Sequence, residues 1–376
     1  MKLLKIWTNS GYKMLKKGFE INFLTKTRVD KDSENDDLIK LENNLYYPVE
    51  TVFIGKNSSG KTTALALIEL IIEFIDTGRV NRNSIGESDN LSFGAIFYHE
   101  KMIYKYEGVF AKDNFSNRDY LVIKDESLFS TRNKNSYKKD LSNIAFTGNS
   151  LIQPSIGRDT SDISRFSFSS YDCNINKLIK ERNVVLFSSI VNSLYGNGTF
   201  NTLIHMFDDS IEYIGFEHNE NNVDINFKRI NQKEKLVSLS YLKEIMSAGT
   251  YRGLFLFAAS MVAFKTGGTI IIDEIENSFN KNLIQNLFVL FKDARINKMG
   301  ATLIYSTHYS ELLDESDRCD NINVVHRYGD SITCDNMCTS YNLRTELSKS
   351  NQFDQNAFDN FANYERLADL RKILIK

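Results

Sequence analysis

Apolar positions along the chain fall into runs of two kinds. The unbroken runs at 51–54 (TVFI), 269–272 (TIII) and 301–305 (ATLIY) show no alternation, the pattern of strands covered on both faces. Looser alternation over 2–7 and 18–24 predicts two further strands, and residues 93–123 read as a meander of short, aromatic-rich strands. Helix-length apolar patterns accompany the unbroken runs, at 61–74, 254–264 and 281–294. Buried strands interleaved with helices are the mark of an α/β fold. Further helices are expected near 174–194 and 199–210, and an amphipathic one within the last thirty residues. Polar stretches separate these elements: a loop at 25–37 (TKTRVDKDSENDD) and a Ser-, Asn-, Lys- and Arg-rich segment at 127–182. No heptad pattern lasts three or four turns, which excludes a long coiled coil.

Composition narrows the class. The 376 residues are 42% hydrophobic and 25% charged, the balance of a globular chain able to bury a core without staples. A formal charge of −2 excludes a chain-wide basic field for nucleic acid, though not a local patch. Four cysteines make no disulfide framework and point to a reducing compartment. No stretch approaches 18 apolar residues, and the start, MKLLKIWTNSGYK, has no long apolar core or cleavage site. The expectation is a cytoplasmic protein with no membrane partner.

The chemistry concentrates where the buried runs end. Gly55, Lys56, Asn57, Ser58, Ser59, Gly60, Lys61 and Thr62 satisfy G-x-x-x-x-G-K-[ST] between a strand and a helix, and Thr63 follows in the helix. Glycines let backbone N–H groups wrap phosphates, and the helix amino end favours anions. Lys61 suits the β- and γ-phosphates and Thr62 a Mg²⁺ ion. The plain alternative is a glycine turn before an amphipathic helix. Asp273 and Glu274 end the run TIII, where open α/β sheets place ligands. Alternation aims them differently, so Asp273 suits the Mg²⁺ side and Glu274 the attacking water. Ser306, Thr307 and His308 end the next run; His308 either senses the γ-phosphate or caps the following helix. Ser247 and Gly249, in SAGTYRG at 247–253, open an apolar helix. They read either as a second anion-binding helix end or as an ordinary serine cap.

Other features are weaker. Arg132, Lys134, Lys138 and Lys139, with Tyr137 among them, would suit a phosphate backbone, but a solvated loop explains them as well. Cys334 and Cys338 have no second ligand pair at a metal-binding spacing. Neither do His99, His205, His218 and His326.

The order of these motifs resembles an ATP-binding-cassette-type ATPase head of the SMC-like group. Within it, the chain is similar to the bacterial AAA-family ATPases of abortive-infection and overcoming-lysogenization-defect systems. The resemblance rests on GKNSSGKT at 55–62, MSAGTYRG at 246–253, IIIDEIENSF at 270–279 and LIYSTHYSELLD at 303–314. The stretches RCDNINVVHR at 318–327 and YNLRTEL at 341–347 extend it. It implies a P-loop NTPase fold with an antiparallel β subdomain and a helical insertion lobe. The head would be divided as 1–125 and 241–340, with a lobe at 126–240 and a helical tail at 341–376.

The resemblance also implies function. Glu274 would be the catalytic carboxylate, His308 the switch histidine, and 276–278 part of the loop after the carboxylate strand. Two heads would sandwich two ATP molecules, with Ser247 and Gly249 touching the γ-phosphate held by the opposite subunit. That predicts a homodimer or larger homo-oligomer, Mg²⁺-dependent ATP hydrolysis, and control of a separately encoded effector such as a nuclease in anti-phage defence. A DNA-repair or recombination ATPase that clamps nucleic acid itself is the alternative, and an interaction module with little turnover a third. The chain departs from the pattern at Asn280-Lys281, where relatives carry His-Pro. The lid glutamine is not placed by pattern, and the residues after 347 leave no room for a Toprim-type nuclease.

Overall fold

The computed structural model describes residues 1–27, 29, 37–42, 45–112, 119–132, 141, 144, 146, 150–151, 173–174, 184–218, 223–238, 241–242, 244, 246–277, 279, 281–341, 348–355, 371 and 373–374. Four sheets organise them. The antiparallel sheet is built from β1 (Lys2–Thr8), β2 (Glu20–Asn22), β6 (Asn90–His99), β7 (Met102–Ala111) and β8 (Val122–Thr131), in the order β2-β1-β6-β7-β8. A hairpin of β3 (Leu38–Glu42) and β4 (Leu45–Pro48) precedes β5 (Glu50–Ile54). The central sheet runs β16-β15-β5-β14-β13-β9. It comprises β5 with β9 (Cys173–Asn174), β13 (Thr269–Ile272), β14 (Thr302–Thr307), β15 (Ile322–Tyr328) and β16 (Ser331–Asn336). All its pairings are parallel except the last, between β15 and β16. A third antiparallel sheet joins β10 (Ile211–His218), β11 (Val223–Arg229) and β12 (Lys235–Val237).

Seven helices are described: α1 (Lys61–Thr77), α2 (Val184–Tyr195), α3 (Thr199–Phe207), α4 (Ala248–Thr266), α5 (Lys281–Lys292), α6 (Met337–Tyr341) and α7 (Lys349–Asp354). Helix α1 lies between the central and antiparallel sheets. Its Ile68, Ile71 and Phe74 share one core with Phe93 and Phe110 on one side and with Ile271, Ile304 and Val325 on the other. The opposite face of the central sheet, through Ile270, Ile272, Leu303 and Tyr305, packs on α4 and α5. Alternate residues of β13 and β14 therefore enter different cores. That is why their sequences are continuously apolar. Helices α2 and α3 and the β10–β12 sheet add their apolar side to the α4 core. A Cβ on Gly253 would lie 2.4 Å from the Phe207 ring, so glycine lets α3 approach α4 closely.

Several sequence expectations change in detail. The strand expected over 18–24 is paired only at Glu20–Asn22. Helix α1 continues to Thr77, where Gly78 (φ 71°) donates its N–H to the Phe74 carbonyl. The helix expected from 174 does not start there: Cys173 and Asn174 pair in parallel with Ile270 and Ile271, and the helix is described from Val184. Tertiary pairing along β13 outweighs local helical pattern at that point. Helix α3 stops at Phe207 because Asp208 is extended and accepts a bond from the Ser210 N–H, turning the chain into β10. Helix α5 ends at Lys292, and Asn297 then clamps the connection through the Phe291 and Ala301 carbonyls. The β3–β4 hairpin and the β10–β12 sheet were not anticipated, and β8 carries the meander past residue 125. Lys134, Tyr137, Lys138, Lys139 and most of the final segment lie outside the described residues. Among those described, no helix is long and apolar enough to cross a membrane.

One buried carboxylate carries a stability prediction. Glu50 opens β5, is 2% exposed, and has Lys292 Nζ 3.6 Å away, itself bonded to Asp37 at 2.9 Å. Burial pushes the Glu50 carboxyl up to about 7, against the pull of Lys292. A raised acid supplies stability below its unfolded pKa and loses it as pH rises through the folded one. Between pH 5 and 8 the fold should therefore lose on the order of 2–3 kcal/mol at this residue. Glu50→Gln should remove that slope. Urea unfolding of both proteins at pH 5 and 8 would show it, and parallel pH profiles would refute it.

Candidate functional site

The loop after β5 is shaped by close approaches that leave no room for side chains. A Cβ on Gly55 would lie 2.4 Å from the Val325 carbonyl oxygen, and one on Gly60 2.3 Å from the Ile332 side chain. Ser58 (φ 63°) and Gly60 (φ 106°) are left-handed, and the Ser59 N–H closes the turn onto the Lys56 carbonyl at 3.1 Å. Lys56, Asn57 and Ser58 are exposed at the crest. Gly60 caps α1 without a side-chain hydrogen bond, and Thr63 stands in the first turn, half-buried. The Ser59 hydroxyl is buried with no partner among the described residues.

Lys61 is 4% exposed. Its ammonium donates to the Gly55 and Lys56 carbonyls at 2.9 and 3.0 Å and lies 3.1 Å from His308 Nδ1. Burial pushes it down to about 8, while Asp273, Glu274 and Glu276 pull it back up. A desolvated cation pointing into a loop of this shape is complementary to a polyanion.

The carboxylates meet this cradle from the end of β13. Thr62 Oγ1 donates to Asp273 Oδ2 at 2.7 Å, and Ser306 Oγ donates to Asp273 Oδ1 at 2.5 Å. The same serine accepts the Glu274 N–H at 2.7 Å, so one hydroxyl at the end of β14 sets both acids. Glu274 turns away from Asp273 through a left-handed backbone, φ 51°. Its Oε1 is 3.3 Å from His308 Nε2, and its Oε2 accepts the Asn277 amide at 2.5 Å. Glu276, in the 3-10 turn Ile275–Asn277, accepts the His308 N–H at 2.5 Å. His308 is thereby held at its backbone, with one ring nitrogen toward Lys61 and the other toward Glu274.

The structure thus gathers Gly55, Lys56, Gly60, Lys61, Thr62, Asp273, Glu274 and His308 beyond the carboxyl ends of β5, β13 and β14, interior strands of the central sheet. Ser247 stands apart: it caps α4 by accepting the Thr250 N–H at 3.0 Å. Gly249 has open space, its nearest neighbour for a Cβ being Ser247 Oγ at 3.9 Å, so packing within this chain does not demand glycine there. Ser306, Glu276 and Asn277 are the contributors that sequence did not single out for chemistry. The thiol of Cys334 is held protonated by burial, and that of Cys338 foremost by its hydrogen bond with Cys319.

The donor set fits both groups expected here. A hydroxyl and a carboxylate oxygen 2.7 Å apart, Thr62 and Asp273, are hard ligands of the kind Mg²⁺ takes beside phosphates. The unpartnered Ser59 hydroxyl, the uncapped start of α1 and the buried Lys61 ammonium fit a nucleotide's phosphates.

A family model described as AAA domain, putative AbiEii toxin, Type IV TA system matches residues 51–314. Among solved structures, the SMC head domain from Thermotoga maritima is similar at 13% sequence identity and a TM-score of 0.41. That match covers 89% of this chain and 99% of the other. No curated protein matches the sequence.

Proposed function

The chain belongs to the family of AAA domains described as putative AbiEii toxin of type IV TA systems, and from that premise we propose a Mg²⁺-dependent ATPase whose heads pair on nucleotide to govern a separately encoded effector. The observation that carries this reading is the continuous arrangement Lys61–His308–Glu274 beside the Thr62–Asp273 pair. Lys61 and the loop amides hold the phosphate chain. Glu274 orients a water and accepts its proton as the water oxygen attacks the γ-phosphorus and the bond to the β–γ bridging oxygen breaks. His308, between the cation and the carboxylate, registers whether the γ-phosphate is present. Thr62 and Asp273 would hold Mg²⁺, which when bound neutralises charge on the phosphate oxygens.

Pairing is supported by the exposed amino end of α4. Ser247 and Gly249 present a helix terminus that nothing described in this chain covers closely, and such a terminus suits a phosphate carried by a second head. The family description names a toxin of a type IV TA system; the separate effector belongs to the proposal, and co-purification with the neighbouring gene product tests it.

The experiment that tests pairing uses Ser247→Arg in a Glu274→Gln background, where ATP persists. The parent should pair on ATP, read by light scattering or by a crosslink between opposing heads. Ser247→Arg should bind ATP but stay open. If Ser247 only caps its helix, its replacement costs about 0.5–2 kcal/mol of stability and pairing is unchanged. Equal closure by both proteins would remove the paired-head mechanism.

A further inference from the structure

Glu274 combines two features that neighbours must maintain. Its backbone is left-handed, a conformation non-glycine residues adopt only when the surroundings impose it, and its carboxylate is held from both oxygens. The Oε2 side depends on Asn277, whose own N–H donates to the Glu274 carbonyl at 3.0 Å. Asn277 is exposed, so burial does not fix it. What reaches it is Arg252, whose Nη1 donates to the Asn277 carbonyl at 3.2 Å. Arg252 belongs to α4, five residues past the Ser247 cap. Its neighbour Gly253 is seated against Phe207, which fixes how α4 is rotated.

We propose that Asn277 and Arg252 are positioning residues: they tie the orientation of the Glu274 carboxylate to the first turns of α4, the helix whose amino end carries Ser247 and Gly249. The proposal rests on the reading of Glu274 as the group that handles the attacking water. A carboxylate turns easily about its terminal torsion, and the Asn277 amide fixes Oε2 so that Oε1 is presented on the His308 side. Arg252 keeps the short 3-10 turn, and with it that amide, in register with α4. A second head pressing its nucleotide onto Ser247 and Gly249 would then act on this chain's own hydrolytic centre, through side chains that touch neither nucleotide.

The test compares steady-state ATP turnover, and ATP affinity by calorimetry, in the full chain and in Asn277→Ala, Arg252→Ala, Arg252→Lys, the Arg252→Ala/Asn277→Ala double variant and Glu274→Gln. Misplacing a reacting group by about 1 Å costs on the order of 100-fold in rate. Asn277→Ala should therefore lower kcat roughly 10- to 100-fold, with KM and ATP affinity within about twofold of the parent. Arg252→Ala should lower kcat less, and Arg252→Lys should recover part of the loss. The decisive result is non-additivity: the double variant should be no slower than Asn277→Ala alone. Thermal melts identify any variant that fails to fold, in which case Arg252→Lys carries the comparison. Independent, multiplying losses would overturn the relay, as would a change confined to KM or unchanged kcat in both single variants. Parental turnover in Glu274→Gln would instead remove the reading beneath it. A slow Glu274→Gln beside a fast Asn277→Ala would sink the relay alone.

Discussion

Glu274→Gln should lower ATP turnover about 10²- to 10⁴-fold while ATP stays bound, the range expected when a positioned general base is lost. The substitution preserves shape. Glutamine can still accept the Asn277 amide and donate its backbone N–H to Ser306, so the left-handed turn has its supports. What disappears is an anionic oxygen 3.3 Å from His308 Nε2, able to take a proton from water. Affinity for ATP should hold or rise slightly, because one negative charge leaves a site built for an anion. Phosphate release followed together with equilibrium nucleotide binding separates the effects. A variant that releases phosphate at the parental rate would show that the proton goes elsewhere.

Lys61→Ala should act on binding. The ammonium is desolvated and held by the Gly55 and Lys56 carbonyls, so it gains a strong partner only when phosphate arrives. Hydrogen bonds to charged groups contribute about 1.5–3 kcal/mol each, and removing two such bonds to phosphate predicts at least ~100-fold weaker ATP affinity. The loop itself should survive, because Gly55 and Gly60 are fixed by Val325 and Ile332 and not by the lysine. A second signature accompanies the first. In the free protein Lys61 is pushed down to about 8, and bound phosphate would raise it again. Binding above pH 8 should therefore take up a proton, and affinity should fall as pH rises through that value. Calorimetry in buffers of different ionisation enthalpy measures the uptake, which should be absent in the alanine variant. Parental affinity in Lys61→Ala would end the phosphate assignment.

The legible part of this protein is the part whose physics is local. The turn Gly55–Gly60 and the run ending in Asp273 declare themselves because a fully buried strand must be continuously apolar and a phosphate loop must be short and glycine-rich. The illegible parts depend on distant partners. Cys173 and Asn174 become a strand only because β13 has an open edge, and no pattern in two residues announces that. β10 exposes Tyr213 within the strand, and Ile230 stands exposed just past the end of β11, which blurs the alternation that would have marked them. Ser306 looks like any strand-end serine until Asp273 and the Glu274 N–H are found on the same hydroxyl. Asn277 was readable as loop, but its bond to Glu274 depends on a side chain aimed back along its own turn.

The position of β5 has a consequence for biosynthesis. Both of its neighbours in the central sheet, β14 and β15, come from the last quarter of the chain. Thr62 and Asp273 are 211 residues apart in sequence. At ~5–20 residues per second, a ribosome needs roughly 10–40 s to make that interval. Throughout it, the newly made phosphate loop has neither Val325 nor Ile332 to shape it and no carboxylate to face. A chain that ends before β14 therefore exposes β5 as an unpaired apolar strand, a target for chaperones and proteases, and its candidate site is incomplete. Under this topology, the candidate site assembles only after β14 and β15 have been made.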